Sequence, residues 1–164
     1  MKETLNKEKT YLNIGKNPND NKKSIKLEIK INRNERNRKM KDLTVILKNK
    51  PGTLADMGES LGKMGINMEG LCGFPLKNEA VVHILVEDEE TARWALEDAG
   101  FEVRAVREVI VMDIGHIVGK PGTGGKMARK IGNAGVNIDL IYFAENNRIV
   151  LGVDSIEKAR NALK

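Results

Sequence analysis

The sequence predicts an α+β chain in which one βαββαβ unit is used twice. Two observations carry that expectation. The first is periodicity: between Lys41 and Lys164, short stretches of alternating apolar residues trade places with stretches in which apolar residues recur every three or four positions. The second is self-similarity. Pro51-Gly52-Thr53 returns as Pro121-Gly122-Thr123, and the match continues without a gap through Met57/Met127, Leu61/Ile131, Gly62/Gly132, Gly65/Gly135, Ile66/Val136 and Asn67/Asn137. Such a repeat exceeds the ~20–50 residues of a solenoid unit, so it marks a duplicated domain.

The elements follow in order. Asp42–Lys48 reads as a strand with Leu43, Val45 and Leu47 on one face. It stops at Asn49-Lys50-Pro51-Gly52, a turn because proline fixes φ and glycine accepts conformations closed to other residues. Thr53 is the expected N-cap of a helix whose first turn holds Asp56, and Leu54, Met57, Leu61 and Met64 form one apolar stripe. Gly65 suits the position just past that helix. Ile66–Gly73 and Ala80–Glu87 read as the second and third strands. Glu89–Ala99 reads as a second helix with Ala92, Ala95, Leu96 and Ala99 inward. After Gly100, a strand beginning at Phe101 runs almost uninterrupted to Asp113. At ~3.3 Å per residue it would extend about 40 Å, so a bend is expected near Arg107. In the second copy, Ala159-Arg160 and Ala162-Leu163 repeat Ala92-Arg93 and Ala95-Leu96, and Lys164 follows directly. The second unit is therefore expected to lack its fourth strand and to leave a sheet edge open.

Three segments result: residues 1–40, a basic Asn/Lys-rich arm, largely disordered; residues 41–107, the first unit; and residues 108–164, the second, truncated one. Within the arm, Ile25, Leu27, Ile29 and Ile31 alternate with Lys26, Glu28 and Lys30. That is either chance alternation or a strand over Ser24–Asn32 able to pair with the open edge, and Met40 is an alternative start. Residues 1–39 hold 12 basic against 5 acidic side chains, a net of +7, which leaves −2 for the rest of a chain whose total is +5. The folded part has no electrostatic reason to seek phosphates, and Tyr11 alone makes no stacking platform in the arm, so no nucleic-acid partner is expected.

Aromatic residues are only 4% of the chain, so the core must be aliphatic, with Met57, Met64, Met68, Met112 and Met127 at core positions. Cys72, the only cysteine, rules out an internal disulfide and a site of paired thiolates and fits a reducing cytoplasmic setting. No apolar run approaches the ~20 residues of a membrane span, and no membrane partner is expected. Gly119-Lys120-Pro121-Gly122-Thr123-Gly124-Gly125-Lys126 imitates a phosphate-binding loop, but its glycine spacing is one residue too long and Met127 stands where a magnesium-binding hydroxyl is needed. His83 and His116 have no counterpart in the other copy and no partner cluster, which suggests structural or surface roles. Cys72 reads as a small buried hydrophobe and Trp94 as a partly buried packing residue. No acid–base or nucleophile–base pair stands out, so the chain is expected to be non-catalytic, without metal or cofactor.

A βαββαβ unit has the ferredoxin-like arrangement, an antiparallel sheet with two helices on one face. Asn49-Lys50-Pro51-Gly52-Thr53-Leu54, a helix, then Gly65-Ile66-Asn67 resembles the ACT family of amino-acid-sensing modules. The second copy, Lys120-Pro121-Gly122 followed by Gly135-Val136-Asn137-Ile138-Asp139, resembles it too. Over residues 41–164 the chain resembles most closely the stand-alone tandem ACT proteins, whose second module also ends after its second helix. The resemblance implies a cytoplasmic regulatory homodimer that binds a free amino acid and acts on an amino-acid biosynthetic enzyme. The alternative is a ligand-free interaction module regulating such an enzyme in trans. It also implies a site at Asn49, Gly52, Thr53, Leu54 and Asn67, and at Gly122, Thr123 and Asn137 of the second copy. In the serine-sensing ACT module of phosphoglycerate dehydrogenases, asparagines matching Asn49 and Asn67 hold the amino acid. The chemistry is plain: a glycine turn running into a helix N-terminus offers unpaired N–H groups to a carboxylate, and asparagine offers both donor and acceptor. Gly119 stands where the second copy would need its Asn49. Glu69 and Asp139 read as solvated strand-face carboxylates.

Overall fold

Seven strands and four helices lie among the residues that the computed structural model describes, Asn37 and 39–164. The arm and its Ser24–Asn32 segment fall outside them. The first repeat contributes β1 (Lys41–Lys48), α1 (Thr53–Lys63), β2 (Gly70–Leu76), β3 (Glu79–Val86), α2 (Glu89–Asp98) and β4 (Glu102–Glu108). The second contributes β5 (Ile110–Asp113), α3 (Thr123–Asn133), β6 (Ile138–Ala144), β7 (Arg148–Val153) and α4 (Ile156–Ala162). All strands join one antiparallel sheet in the order β4-β1-β3-β2-β6-β7-β5. The first four reproduce the ferredoxin-like order, and β6-β7-β5 is the same order with its last strand absent. Among the described strands β5 pairs with β7 alone.

Side-chain alternation divides each strand between two layers. On one face, Leu43, Val45, Val82 and Ile84 pack under Met57 and Leu61 of α1 and Ala92 and Leu96 of α2. Ile110, Ile149 and Leu151 pack likewise under Met127 and Ile131 of α3 and Ala159 of α4. The residues between them, Leu85 and Val150, point the other way and meet Met40, Val109 and Tyr142 in a third apolar cluster. β7 is buried along its whole length, which explains its nearly unbroken apolar sequence Ile149-Val150-Leu151.

That third cluster requires the sheet to curl. On a flat sheet β1 and β6 would stand three strand spacings apart, about 14 Å, yet the Tyr142 hydroxyl on β6 donates to Asp42 Oδ1 on β1 at 2.9 Å. Farther along, Arg107 on β4 reaches Asp139 on β6 at 2.8 Å. The faces without helices are therefore folded against each other, with the corner at β2 and β6. Only Gly70 and Ala144 are paired there, extended by the Glu145 N–H donating to the Glu69 carbonyl at 2.8 Å. A Cβ on Gly70 would stand 2.8 Å from the Ala144 Cβ, so the corner admits only glycine without a shift.

Several expectations need correction. The N-cap of α1 is Gly52, not Thr53. β2 begins at Gly70 rather than Ile66, because Ile66 and Met68 first pack against the helix-side core beneath the end of α1. The long fourth strand breaks at Val109, whose side chain turns into the third cluster. Met64 is exposed, since the stripe of α1 buries only Met57 and Leu61, and Trp94 stands outward on α2.

Candidate functional site

The turn before α1 is built for an open helix end. Gly52 takes φ 93°, a left-handed conformation that costs glycine nothing, and no side chain caps the helix. Thr53 cannot do so, because its hydroxyl is turned back to the carbonyls of Lys48 at 2.7 Å and Lys50 at 3.0 Å. The start of α1 therefore keeps the exposed positive end of the helix dipole, with the Thr53 N–H donating to the Lys50 carbonyl at 3.5 Å and the Asp56 N–H to the Gly52 carbonyl at 2.9 Å. By contrast Asp88 caps α2 through the Thr91 N–H at 3.0 Å, and those hydrogen bonds hold its carboxyl below the usual range.

The bared turn opens on a cavity of about 580 Å³ that lies against β2 and β3. Asn49, Gly52, Thr53 and Leu54 all line it, so four of the residues expected in the site share one space. Asn49 donates its Nδ2 to the Lys77 carbonyl at 3.5 Å, which leaves its Oδ1 as an acceptor. Leu54, at 51% exposed, forms part of the wall rather than of the core.

Asn67 does not belong to this cavity. It lies beyond the far end of α1, and the 11-residue helix is about 16 Å long, too far for one amino acid to touch both asparagines of a single repeat. Asn67 borders a different cavity of about 510 Å³ and donates to Glu69 Oε1 at 3.1 Å. Glu69 is itself a correction. It is only 5% exposed, and its other oxygen meets Arg148 at 2.6 Å. Arg148 is buried too, and it also donates to the Glu145 carbonyl at 2.7 Å.

The second repeat copies the turn but not its surroundings. Gly122 takes φ 81°, no side chain caps α3, and Thr123 donates to the Lys120 carbonyl at 2.8 Å. Gly119 adopts φ 76°, whereas Asn49 is not among the residues with positive φ, so the two loops approach their turns differently. Thr123 borders a cavity of about 260 Å³ beside β5, with Met112, Ile117 and Leu163. Asn137 pairs through its backbone with Asp154, whose carboxylate accepts its N–H at 3.2 Å.

His83 acquires the partners its sequence context hid. Its Nδ1 lies 2.9 Å from Asp42 Oδ2 and 3.4 Å from the Thr44 hydroxyl. Asp42 is fully buried, and burial together with this carboxylate pushes the Tyr142 phenol far above its usual range. Cys72 sits nearby, its thiol pushed up by burial first and by Asp42 second. This cluster ties the inner faces together and faces no cavity described above. No helix among the described residues is long and apolar enough to cross a membrane.

Fold and turn together define an ACT-like α+β protein of the ferredoxin type. Neither a family model nor a curated protein matches the chain. Among solved structures, the protein BT0572 from Bacteroides thetaiotaomicron is 30% identical with a TM-score of 0.63, over 75% of this chain and 85% of that one. The chain belongs to the same family as that protein. The ligand-free regulatory subunit of aspartate kinase from Thermus thermophilus superposes with a TM-score of 0.60 at 22% identity, over 77% and 89% of the two chains. The regulatory subunit of aspartate kinase from Thermus flavus gives 0.58 at 20%, over 76% and 90%. At these identities the likeness to the kinase subunits is one of fold.

Proposed function

We propose that the protein is a non-catalytic regulator made of two ACT modules, residues 41–107 and 108–164, that binds a free amino acid at the turn of the first. The observation that supports this most is the uncapped start of α1 facing a cavity with Asn49 on its rim. The first-turn N–H groups receive the ligand carboxylate, and Asn49 Oδ1 accepts from its ammonium. Asn67 reaches such a ligand only from a second copy, which is the reason to expect a homodimer. The fold shared with regulatory subunits of aspartate kinase supports an enzyme of amino-acid metabolism as the regulated partner.

A second reading, an interaction module without ligand, draws on Leu71, Ile141 and Phe143, which are 42%, 53% and 72% exposed near the corner of the sheet. Calorimetric titration with the twenty amino acids separates the two. The first reading expects a Kd between micromolar and millimolar, about −8 to −4 kcal/mol. It expects Asn49→Ala to lose about 1.5–3 kcal/mol of it, the worth of a hydrogen bond to a charged group. Absence of heat with every amino acid would leave only the second reading.

A further inference from the structure

From the walls of the Gly52 cavity we infer the class of amino acid it takes: one with an uncharged, apolar side chain. The inference rests on the amino-acid-binding reading and adds what lies beyond the backbone of the ligand. Past the turn, the cavity is lined by Leu47, Leu54, Leu71, Pro75, Ala80 and Val82, contributed by β1, α1, β2 and β3. A side chain leaving the Gly52 turn toward β2 and β3 therefore meets methyl and methylene groups and the Phe74 ring, while the Asn49 amide and the Thr53 hydroxyl stay at the turn, the latter bonded to the Lys48 and Lys50 carbonyls. Burying an unsatisfied polar group there is unfavourable, whereas burying methylenes is favourable.

Charge narrows the class further. Lys48 and Lys50 line the cavity, and among the described residues that line it none is acidic. A lysine or arginine side chain would meet like charge there, whereas the two lysines, flanking the turn, add to its attraction for the ligand carboxylate. The cavity on the other flank of α1 shows how a different lining would look. It has about the same volume, near 590 Å³, yet Asp56, Glu59, Glu79 and Glu102 line it alongside three lysines. The two flanks of one helix thus offer opposite chemistry, and the apolar one is the one that Asn49 and Gly52 face.

Gly73 keeps this space open. A Cβ added there would come within 3.2 Å of the Val82 side chain, on the floor of the cavity. Leu71, 42% exposed, is a wall that can be changed without emptying the core, as is Leu54 on the helix. These two are the specificity-determining residues of the site.

Calorimetry on the full chain tests this with leucine, methionine, valine, alanine, serine, aspartate and lysine as ligands. Leucine or methionine should bind at least about ten-fold more tightly than serine, with about four-fold lost per methylene removed toward alanine. Lysine should give no heat. Leu71→Asn and, independently, Leu54→Ala should each weaken leucine about ten-fold while leaving serine unchanged, and Trp94→Ala, on the exposed face of α2, should change neither. Tighter binding of serine, aspartate or lysine than of leucine would overturn the apolar assignment and leave amino-acid binding standing. So would equal effects of Leu71→Asn on leucine and serine. No heat with any ligand would overturn the binding reading itself.

Discussion

Arg148→Met is the substitution that most directly probes how the two repeats are held at their corner. Arg148 and Glu69 have side chains 5% and 6% exposed and meet at 2.6 Å, with Arg148 also bonded to the Glu145 carbonyl and near Asn37 Oδ1 at 3.4 Å. Methionine matches the length of the arginine stem but removes the guanidinium that meets the buried Glu69 carboxylate. Breaking such a pair from one side costs about 3–5 kcal/mol. Native proteins have a total stability of about 5–15 kcal/mol, so the loss is a large share of it. Urea unfolding followed by circular dichroism should show the midpoint falling by about 2 M with the slope unchanged. In the double variant Arg148→Met with Glu69→Leu, most of the loss should return, because an apolar pair leaves no charge behind. A change below about 1 kcal/mol in the single variant, or strict additivity in the double one, would refute the reasoning.

Two further predictions concern the folded-over sheet. Gly70→Ala places a methyl group 2.8 Å from the Ala144 Cβ and should destabilise by about 1–3 kcal/mol, with Ala144→Gly recovering part of it in thermal unfolding. Tyr142→Phe removes the donor to the buried Asp42 carboxylate and should cost about 1.5–3 kcal/mol near pH 7. The sign of its pH dependence follows from the raised phenol: above about pH 10 the unfolded chain releases this proton and the folded one keeps it. Stability should therefore fall with rising pH there by up to about 1.4 kcal/mol per unit, and the variant should lose that slope. An unchanged slope in Tyr142→Phe would place the effect elsewhere.

What the sequence reveals of this molecule is what short segments decide by themselves. The Pro-Gly turns, the glycines past each helix and the stripes through Met57 and Leu61 and through Met127 and Ile131 depend on neighbours within one or two turns of chain, and they fall where expected. The inner layer depends on strands brought together from distant parts of the chain. Asp42 and Thr44 alternate with Leu43 and Val45, so the face they share reads as solvated until His83 and Tyr142 cover it. Glu69 misleads for the same reason, because Arg148, 79 positions away, makes its burial tolerable. The candidate site shows the same division. Asn49 and Gly52 flank one turn and share a cavity, while Asn67 matches a motif whose two halves stand at opposite ends of a helix. A feature that could have flagged the inner layer is Arg148, a charge beginning the otherwise apolar strand β7.

The inner layer also sets a clock on synthesis. Among the described residues, the helix-side core of the first repeat draws on Leu43 to Val103, so it can close as soon as that stretch leaves the ribosome. Its opposite face cannot. Leu85 and the Asp42–His83 pair wait for Tyr142 and Val150, and the Asp42–Tyr142 bond spans 100 positions. Between Glu108 and Val153 the ribosome needs roughly 2–9 s at ~5–20 residues per second. For that interval the inner face of the first repeat, with Leu85 and the Asp42 carboxylate, lacks Tyr142 and Val150. The carboxylate that later costs least when covered by Tyr142 is, until then, the hydrated group that discourages another strand from settling on the face.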